Sequence, residues 1–355
     1  MELSEMRRNI DAIDSEILKL LDRRFEIAVR ARRLKSSTQD QLREENLISS
    51  IKKQSYNLLS REFSEELYVE ILKESRRLQD EDLKLIGFQG EHGAYSDIAA
   101  KKFDPKLISI PCKEFVDVFD GVSKNYFDMG IVPVENSIEG QVTQVNDLLI
   151  KTELKIVGEI VLPVHHCLIA LKEADYREIK VAYSHPQALA QCRGFLERNK
   201  IEGRPFYNTA GAAAMIAKER PLNAAVIASK LSAEIYDLKI LKEQIEDSKF
   251  NKTRFLVISK DSSEELGDKC SITFKTSEKT GSLFKILEIF ADECVNLTRI
   301  ESRTLREDVD HVAFLLDFKG SDKDEHVFNT IERLKEKVSS FNFLGCYKES
   351  PANFR

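Results

Sequence analysis

"LKLIGFQGEHGAYS", residues 83–96, is where the chain changes character. Gly87 is the first glycine, and all 14 glycines and 8 prolines of the 355 residues lie at or after it. Residues 1 to about 80 can therefore run as long, uninterrupted helices. From Leu83 onward, short apolar segments alternate with helical stretches: LKLIGF, MGIVPVE, IVGEIVLPV, HCLIAL, IKVAYS, AAVIAS and TRFLVIS. That alternation predicts α/β layering. A second break falls in the polar KDSSEELGDK, 260–269. Beyond it the pattern predicts strand 270–275, helix 281–293, strands 295–305 and 310–318, helix 324–338 and strand 341–346. This is the βαββαβ order of a small ferredoxin-like α+β domain. Three regions are expected: 1–82, 83–260 and 268–350.

The composition narrows the functional classes. A net charge of −6, with 42% hydrophobic and 32% charged residues, is ordinary for a soluble globular protein and points to neither nucleic acid nor a membrane surface. No apolar run approaches the roughly 18 residues of a membrane span. The start, MELSEMRRNIDAID, is too charged for a signal peptide. Six cysteines (112, 167, 192, 270, 294 and 346) are scattered without CxxC pairs or zinc spacing and read as reduced thiols of a cytoplasmic protein. His165-His166 follow the apolar run Ile156 to Val164 and read as a strand end. Neither a metal nor a cofactor is expected.

The first helix is expected over roughly residues 4 to 36, about 50 Å at 1.5 Å per residue. A helix that long needs antiparallel partners or a dimer to cover its apolar stripe. The stripe is Met6, Ile10, Ile13, Ile17, Leu20 and Leu21. Continued at the same spacing, it meets Arg24, Ala28, Ala31 and Lys35, so two cations fall where leucines belong. Eleven residues apart, they should lie about 20° apart around the axis. On the second helix Glu44 shares the stripe of Ile48 and Ile51, with Asp40 a turn earlier. On the third, Tyr68, Leu72, Ser75 and Gln79 share a face. A buried Arg24–Glu44 ion pair would stabilise little after desolvation. Six converging polar groups fit a pocket for a small polyanion better.

MRRNIDAIDSEILKLLDRR, LK, REENLI and ILKESRRLQ, over residues 4–80, resemble the all-helical chorismate mutase family. The resemblance implies a site of Arg7, Arg24, Lys35, Asp40, Arg43, Glu44, Ser75 and Gln79. The rearrangement of chorismate to prephenate is pericyclic. It requires the dicarboxylate to be held in its reactive conformer and charge on the breaking ether oxygen to be stabilised. Arginines suit the carboxylates, Lys35 and Gln79 would bond the ether oxygen, and Glu44 would hold the hydroxyl. Arg7 lies about 100° around the helix from Arg24 and would reach a partner subunit's pocket.

Between 85 and 260, polar clusters recur at strand ends. GFQGEHGAYS brings glycines to a helix start. VPVENSIEG offers Glu135, Asn136 and Ser137. YSHPQALAQC offers Ser184, His185, Gln187 and Gln191, and NTAGAA puts Thr209 at an expected N-cap. NKTRFLVIS, 251–259, opens a buried strand with Asn251, Lys252, Thr253 and Arg254. Ligands of open α/β sheets bind at strand ends. Together, ENS, SHPQ and TRF resemble the prephenate dehydratase family over 84–260. The resemblance implies two α/β lobes, as in periplasmic binding proteins, with the site between them and with Thr253 and Arg254 on the cleft wall. Prephenate loses carbon dioxide and water together. Decarboxylation supplies the electrons, so the demanding event is departure of the ring hydroxyl, which needs a donor. Thr253 is expected there, His185 less so. Glu135, Asn136, Ser137, Ser184, His185, Gln187, Gln191, Thr209 and Arg254 would bind the substrate.

Residues 269–349, with FLGCY at 343–347 near their end, resemble an ACT regulatory domain. The family's GALV and ESRP motifs read here Gly281-Ser282-Leu283-Phe284 and Glu301-Ser302-Arg303-Thr304. The resemblance implies a phenylalanine site at a dimer interface, with Gly281 leaving room for the ligand. The expectation is a homodimer or higher oligomer acting on chorismate and prephenate, with phenylalanine as effector. The alternatives are arogenate as dehydratase substrate, pyruvate-lyase chemistry in the helical pocket, and a non-catalytic amino-acid sensor.

Overall fold

The computed structural model describes residues 3–35, 40–54, 57–305, 308–352 and 354. It divides between Lys84 and Leu85 into two units.

The first unit is three helices: α1 (Leu3–Arg32), α2 (Gln41–Lys53) and α3 (Arg61–Asp80). Asp40 caps α2 by accepting from Arg43 N, and Ser60 caps α3 by accepting from Phe63 N. α1 stops earlier than its periodicity predicts. Arg33, Leu34 and Lys35 donate backbone bonds to Arg30, Ala31 and Arg32, so the end tightens into a 3₁₀ turn. The Arg32 guanidinium closes it by donating to the Lys35 carbonyl at 2.9 Å. The apolar stripe is uncovered in the single chain, with Ile10 57% and Leu20 59% exposed.

The second unit contains three sheets. The first lobe holds β1 (Leu85–Gln89), α4 (Tyr95–Phe103), β2 (Ile108–Cys112), α5 (Phe115–Ser123), β3 (Met129–Asn136), β4 (Gly140–Gln141), α6 (Thr143–Lys151) and β5 (Lys155–Pro163). The second holds β6 (Cys167–Ala170), β7 (Val181–Ser184), α7 (Pro186–Gln191), α8 (Arg193–Asn199), β8 (Glu202–Pro205), α9 (Thr209–Glu219), β9 (Ala224–Ala228), α10 (Lys230–Ile235) and β10 (Lys239–Lys242). The chain then returns to the first lobe as β11 (Lys252–Ser259), giving sheet orders β2-β1-β3-β11-β5, with β4 on β3, and β10-β6-β9-β7-β8. β11 is buried and runs antiparallel to both β3 and β5. The two crossovers, Val164–His166 and 243–251, join the lobes. β2, β8 and β10 lack a clear sequence signal; β8 is exposed along its whole length, so no apolar pattern marks it.

The remaining elements are β12 (Lys269–Ser277), α11 (Ser282–Asp292), β13 (Leu297–Leu305), β14 (Asp308–Lys319), α12 (Glu325–Lys337) and β15 (Ser340–Tyr347). They form an antiparallel sheet of order β13-β14-β12-β15, the ferredoxin-like arrangement. Its core includes Ile272, Phe274, Phe290, Phe318 and Leu334. The domain docks on the first lobe: Lys155 Nζ donates to Phe343 O at 2.7 Å and Asn342 Nδ2 to Thr152 O at 2.9 Å.

Candidate active sites

The cleft between the lobes is built on the β3–β11 register, which pairs Thr253 with Asn136 and Arg254 with Glu135. Cross-strand partners share a face and successive residues alternate. Thr253 and Asn136 therefore face one way, Arg254 and Glu135 the other. On the first face Asn136 is fixed by backbone. Its Oδ1 accepts from Ile138 N and Glu139 N, both at 2.9 Å, and its Nδ2 donates to Lys252 O, Asn251 Oδ1 and Thr253 Oγ1. Asn251 Nδ2 donates to Gln191 Oε1 at 2.8 Å, and Gln191 Nε2 reaches Glu139 at 3.2 Å. The polar tetrad at the mouth of β11 is thus partly a hydrogen-bonded bridge between lobes.

The GEHG loop meets the opposite lobe at the far side of the cleft. Ser229 and Ser232 hydroxyls donate to Gly93 O, Tyr236 donates to His92 O, and Tyr207 donates to Glu91. Gly93 has φ +90°, and a Cβ there would lie 2.7 Å from Ser232 Oγ. Its glycine serves lobe contact rather than ligand approach. Asp97 braces the loop by accepting from Gly93 N. Burial alone would raise its pKa, but bonds from His92, Gly93 and Ser109 and the charge of Lys101 hold it at about 2.

Several expected substrate contacts are corrected. Arg254 does not line the cleft. It is buried on the opposite face, donating to Glu159 at 2.7 Å, Asp317 at 2.6 Å and Tyr347 at 3.1 Å. Glu135 and Arg254 both border a cavity of about 620 Å³ against the C-terminal domain. Ser184 is fully buried, and its hydroxyl ties β7 to β9 by donating to Ile227 O at 2.6 Å. Ser137 pins the crossover, donating to Phe250 O and accepting from Lys252 N. His185 caps α7, its ring accepting from Gln187 N, and desolvation lowers its pKa. A histidine neutral at pH 7 and engaged as an acceptor is poorly suited to be the acid. Gln187 is exposed. The N-cap of α9 is Asn208, with half-buried Thr209 one residue inside.

Tyr95, His166 and Glu246 escape the sequence reasoning as site residues, and Asn251 entered it only as part of the polar tetrad, with no role. His165-His166 is more than a strand end. Glu246 holds the pair through His165 Nδ1 and His166 N, and Tyr95 donates to His165 O. The available signal was two adjacent histidines at the end of an apolar run, a position that also suits a crossover.

In the helical unit, α1 and α3 bring together Arg24, Ser75 and Gln79. Arg24 Nη1 donates to Ser75 Oγ at 2.5 Å and Gln79 Nε2 to Ala28 O at 2.6 Å. Ser75 and Gln79 are buried and Arg24 half-buried. Glu44 does not join them. It pairs with Arg76 at 3.5 Å, bordering a groove of about 520 Å³ between α2 and α3. Lys35 lies past the end of α1, so its alignment with Arg24 along one helix is not realised. Asp40 is engaged as a cap, and Arg43 and Arg7 are exposed.

In the C-terminal domain Gly281 caps α11 at φ +82°, and nothing lies within 4 Å of where its Cβ would stand. The backbone conformation, rather than ligand room, requires glycine. Ser282 and Leu283 open α11. Glu301, Ser302 and Arg303 lie on β13, and Arg303 grips Asp147 of α6 with two bonds, 2.7 and 3.1 Å. Its guanidinium is engaged by the first lobe rather than offered to a ligand.

A helical unit with Arg24, Ser75 and Gln79 gathered in its interior thus precedes a two-lobed unit with a polar interlobe cleft. Residues 6–80 match the model of chorismate mutase type II and residues 86–263 that of prephenate dehydratase. The chain is 34% identical over 359 residues, 98% of each chain, to a bifunctional chorismate mutase/prephenate dehydratase of Aquifex aeolicus. It is 38% identical over 276 residues, 74% of this chain and 72% of the other, to an arogenate dehydratase/prephenate dehydratase of Arabidopsis thaliana. A prephenate dehydratase from Arthrobacter aurescens, solved in complex with L-Phe, superposes with TM-score 0.69 at 29% identity, covering 74% of this chain and 89% of that one. The chain belongs to the bifunctional chorismate mutase/prephenate dehydratase family. It is an enzyme of phenylalanine biosynthesis that rearranges chorismate to prephenate and then converts prephenate to phenylpyruvate.

Proposed function

We propose that Thr253 is the proton or hydrogen-bond donor to the departing ring hydroxyl of prephenate. The observation that carries this is its bonding. Thr253 Oγ1 accepts from Asn136 Nδ2 at 2.9 Å, which leaves its own O–H to donate into the cleft. Gln191 and Asn136 orient the substrate, with Thr209 at the start of α9 as a further contact. Prephenate rather than arogenate is the proposed substrate, because the chain's own mutase unit makes it. Turnover of the two compounds side by side tests this, and faster turnover of arogenate reverses the assignment.

In the helical unit Arg24, Ser75 and Gln79 are the proposed core of the mutase site, with Lys35, Asp40, Arg43 and Glu44 gathering on the substrate. The active form is a homodimer. The uncovered stripe from Met6 to Leu20 supports it, since burying each such side chain contributes roughly 1.5–3 kcal/mol. Arg7, exposed in one chain, completes the partner's pocket.

The C-terminal βαββαβ domain acts as an ACT domain that senses phenylalanine, with the 281–283 segment and Glu301 and Ser302 as its site. The βαββαβ topology and the L-Phe complex of the Arthrobacter aurescens enzyme support this reading. Regions 1–82, 83–260 and 268–350 are the proposed domains. The six free thiols are in keeping with a cytoplasmic location, and no described helix is long and apolar enough to cross a membrane. Incubation with chorismate, following prephenate and phenylpyruvate with and without phenylalanine, tests the whole reading.

A further inference from the structure

The amides of the cleft have only one consistent orientation, and it ends on a histidine. Asn136 is set by backbone: two N–H groups, of Ile138 and Glu139, point at its Oδ1, and the Lys252 carbonyl faces its Nδ2. Its Nδ2 therefore meets Asn251 Oδ1 at 2.8 Å, and Asn251 must turn its own Nδ2 to Gln191 Oε1. That oxygen then faces His166 Nε2 at 2.8 Å. An oxygen can only accept, so His166 Nε2 carries a hydrogen. On the other side of the ring a bare Nδ1 lies 3.2 Å from Tyr95 Oη and shares the hydroxyl hydrogen that Tyr95 directs chiefly to His165 O at 2.5 Å. His166 is buried, 2% exposed, and desolvation lowers its pKa.

We propose that His166, as the Nε2–H tautomer, is a positioning residue for the dehydratase step: it fixes the Gln191 amide and, through Asn251 and Asn136, the direction of the Thr253 hydroxyl. The chain of bonds begins in the β5–β6 crossover, passes through α7 of the second lobe and the β10–β11 crossover, and ends on β3 and β11. With the His166 donor in place, Gln191 Oε1 is fully used, and its Nε2–H₂ must point to the Glu139 side of the cleft. Without it, the amide can rotate, Asn251 loses its acceptor, and the donor that fills Thr253 Oγ1 is no longer held. Glu246 supports the arrangement from behind by accepting from His166 N at 2.9 Å. This inference rests on the reading of Thr253 as donor.

The test uses the whole chain, with the calorimetric transition of the unit from Leu85 onward as the measure that each variant is folded. His166→Leu should lower kcat for prephenate about 10²-fold, the effect of a small misplacement in a catalytic constellation. His166→Gln, which can return an N–H near the same place, should recover most of that loss. In a Gln191→Leu background His166→Leu should cost nothing further, because the residue acts through Gln191. Wild-type kcat in His166→Leu, or losses that multiply in the double variant with glutamine no better than leucine, would overturn the proposal. Nitrogen-15 NMR of histidine-labelled wild-type enzyme keeps it testable if the leucine variant does not fold. A protonated Nε2 and bare Nδ1 are expected for His166, and the opposite tautomer contradicts the account. Thr253→Ala in the same series separates the two readings. If it keeps full activity, the donor assignment fails whatever His166 does. If it loses activity while His166→Leu does not, only the positioning role fails.

Discussion

Among the described residues, the helical unit buries three apolar side chains, Val29, Ile51 and Ile71, while the unit from Leu85 onward seals whole strands such as Ala224–Ala228 and Phe255–Ile258. The second unit has its cores within one chain. The first has a polar interior at Arg24, Ser75 and Gln79 and an uncovered stripe on α1. One unit separates packing from chemistry by placing the site in a cleft between finished lobes. The other places polar side chains where a core would be and leaves the α1 stripe uncovered in one chain.

This contrast can be broken at several points. The largest expected effect is on the mutase. Arg24→Ala should cut chorismate turnover about 10³-fold by removing a positioned cation, while supplied prephenate is consumed at the normal rate. Loss of both activities in a folded variant would mean that the sites are not independent. Stability should respond most strongly in the other unit. Asp317 accepts from Arg254 and Ser271, so Asp317→Ala should destabilise that unit by about 3–5 kcal/mol, the cost of leaving a buried partner uncompensated. Calorimetry should show only its transition moving, and an unchanged transition refutes the clamp.

The same carboxylate sets an acid limit. Burial raises its pKa, but Arg254, Arg299 and the Ser271 hydroxyl bring it down to about 2, against about 3.9 in an unfolded chain. A depressed folded value means the stabilisation is complete above about pH 4 and is lost as pH falls toward 2. Wild-type stability should therefore decline across that window, and Asp317→Asn should flatten the decline. An equally steep decline in the variant would assign it to other carboxylates, Asp97 first.

Smaller effects sharpen the dimer and the regulation. Mixed Arg7→Ala and Arg24→Ala subunits should regain roughly a quarter of wild-type mutase activity, since half the dimers are mixed and each has one intact pocket. No recovery after demonstrated exchange would return Arg7 to its own subunit. Phenylalanine should shift dehydratase affinity by a coupling of about 1–3 kcal/mol. Calorimetry without heat at millimolar phenylalanine would leave the domain a structural module.

The broad architecture was legible because each level carried its own mark. Absent glycine and proline separated helices from α/β, and strands such as Phe255–Ile258 were apolar throughout. Ser75 and Gln79 were legible as polar groups on a buried face. Arg254 was misread because the TRF motif was taken as a cluster, although neighbours on a strand face opposite ways. Lys35 was misplaced because periodicity does not register where a helix ends in a 3₁₀ turn. The roles of His166 and Asn251 were missed because they depend on where two crossovers meet, and no local pattern encodes that.

The central claim is that two independent sites on one chain perform consecutive steps, with Thr253 serving only the second. Supplying chorismate to Thr253→Ala and following both products tests it most directly. The account predicts that chorismate disappears at the wild-type rate, prephenate accumulates, and phenylpyruvate forms about 10²- to 10³-fold more slowly, with Thr253→Ser restoring most of the flux. Phenylpyruvate at the wild-type rate, or chorismate left unconsumed by a folded enzyme, would contradict it.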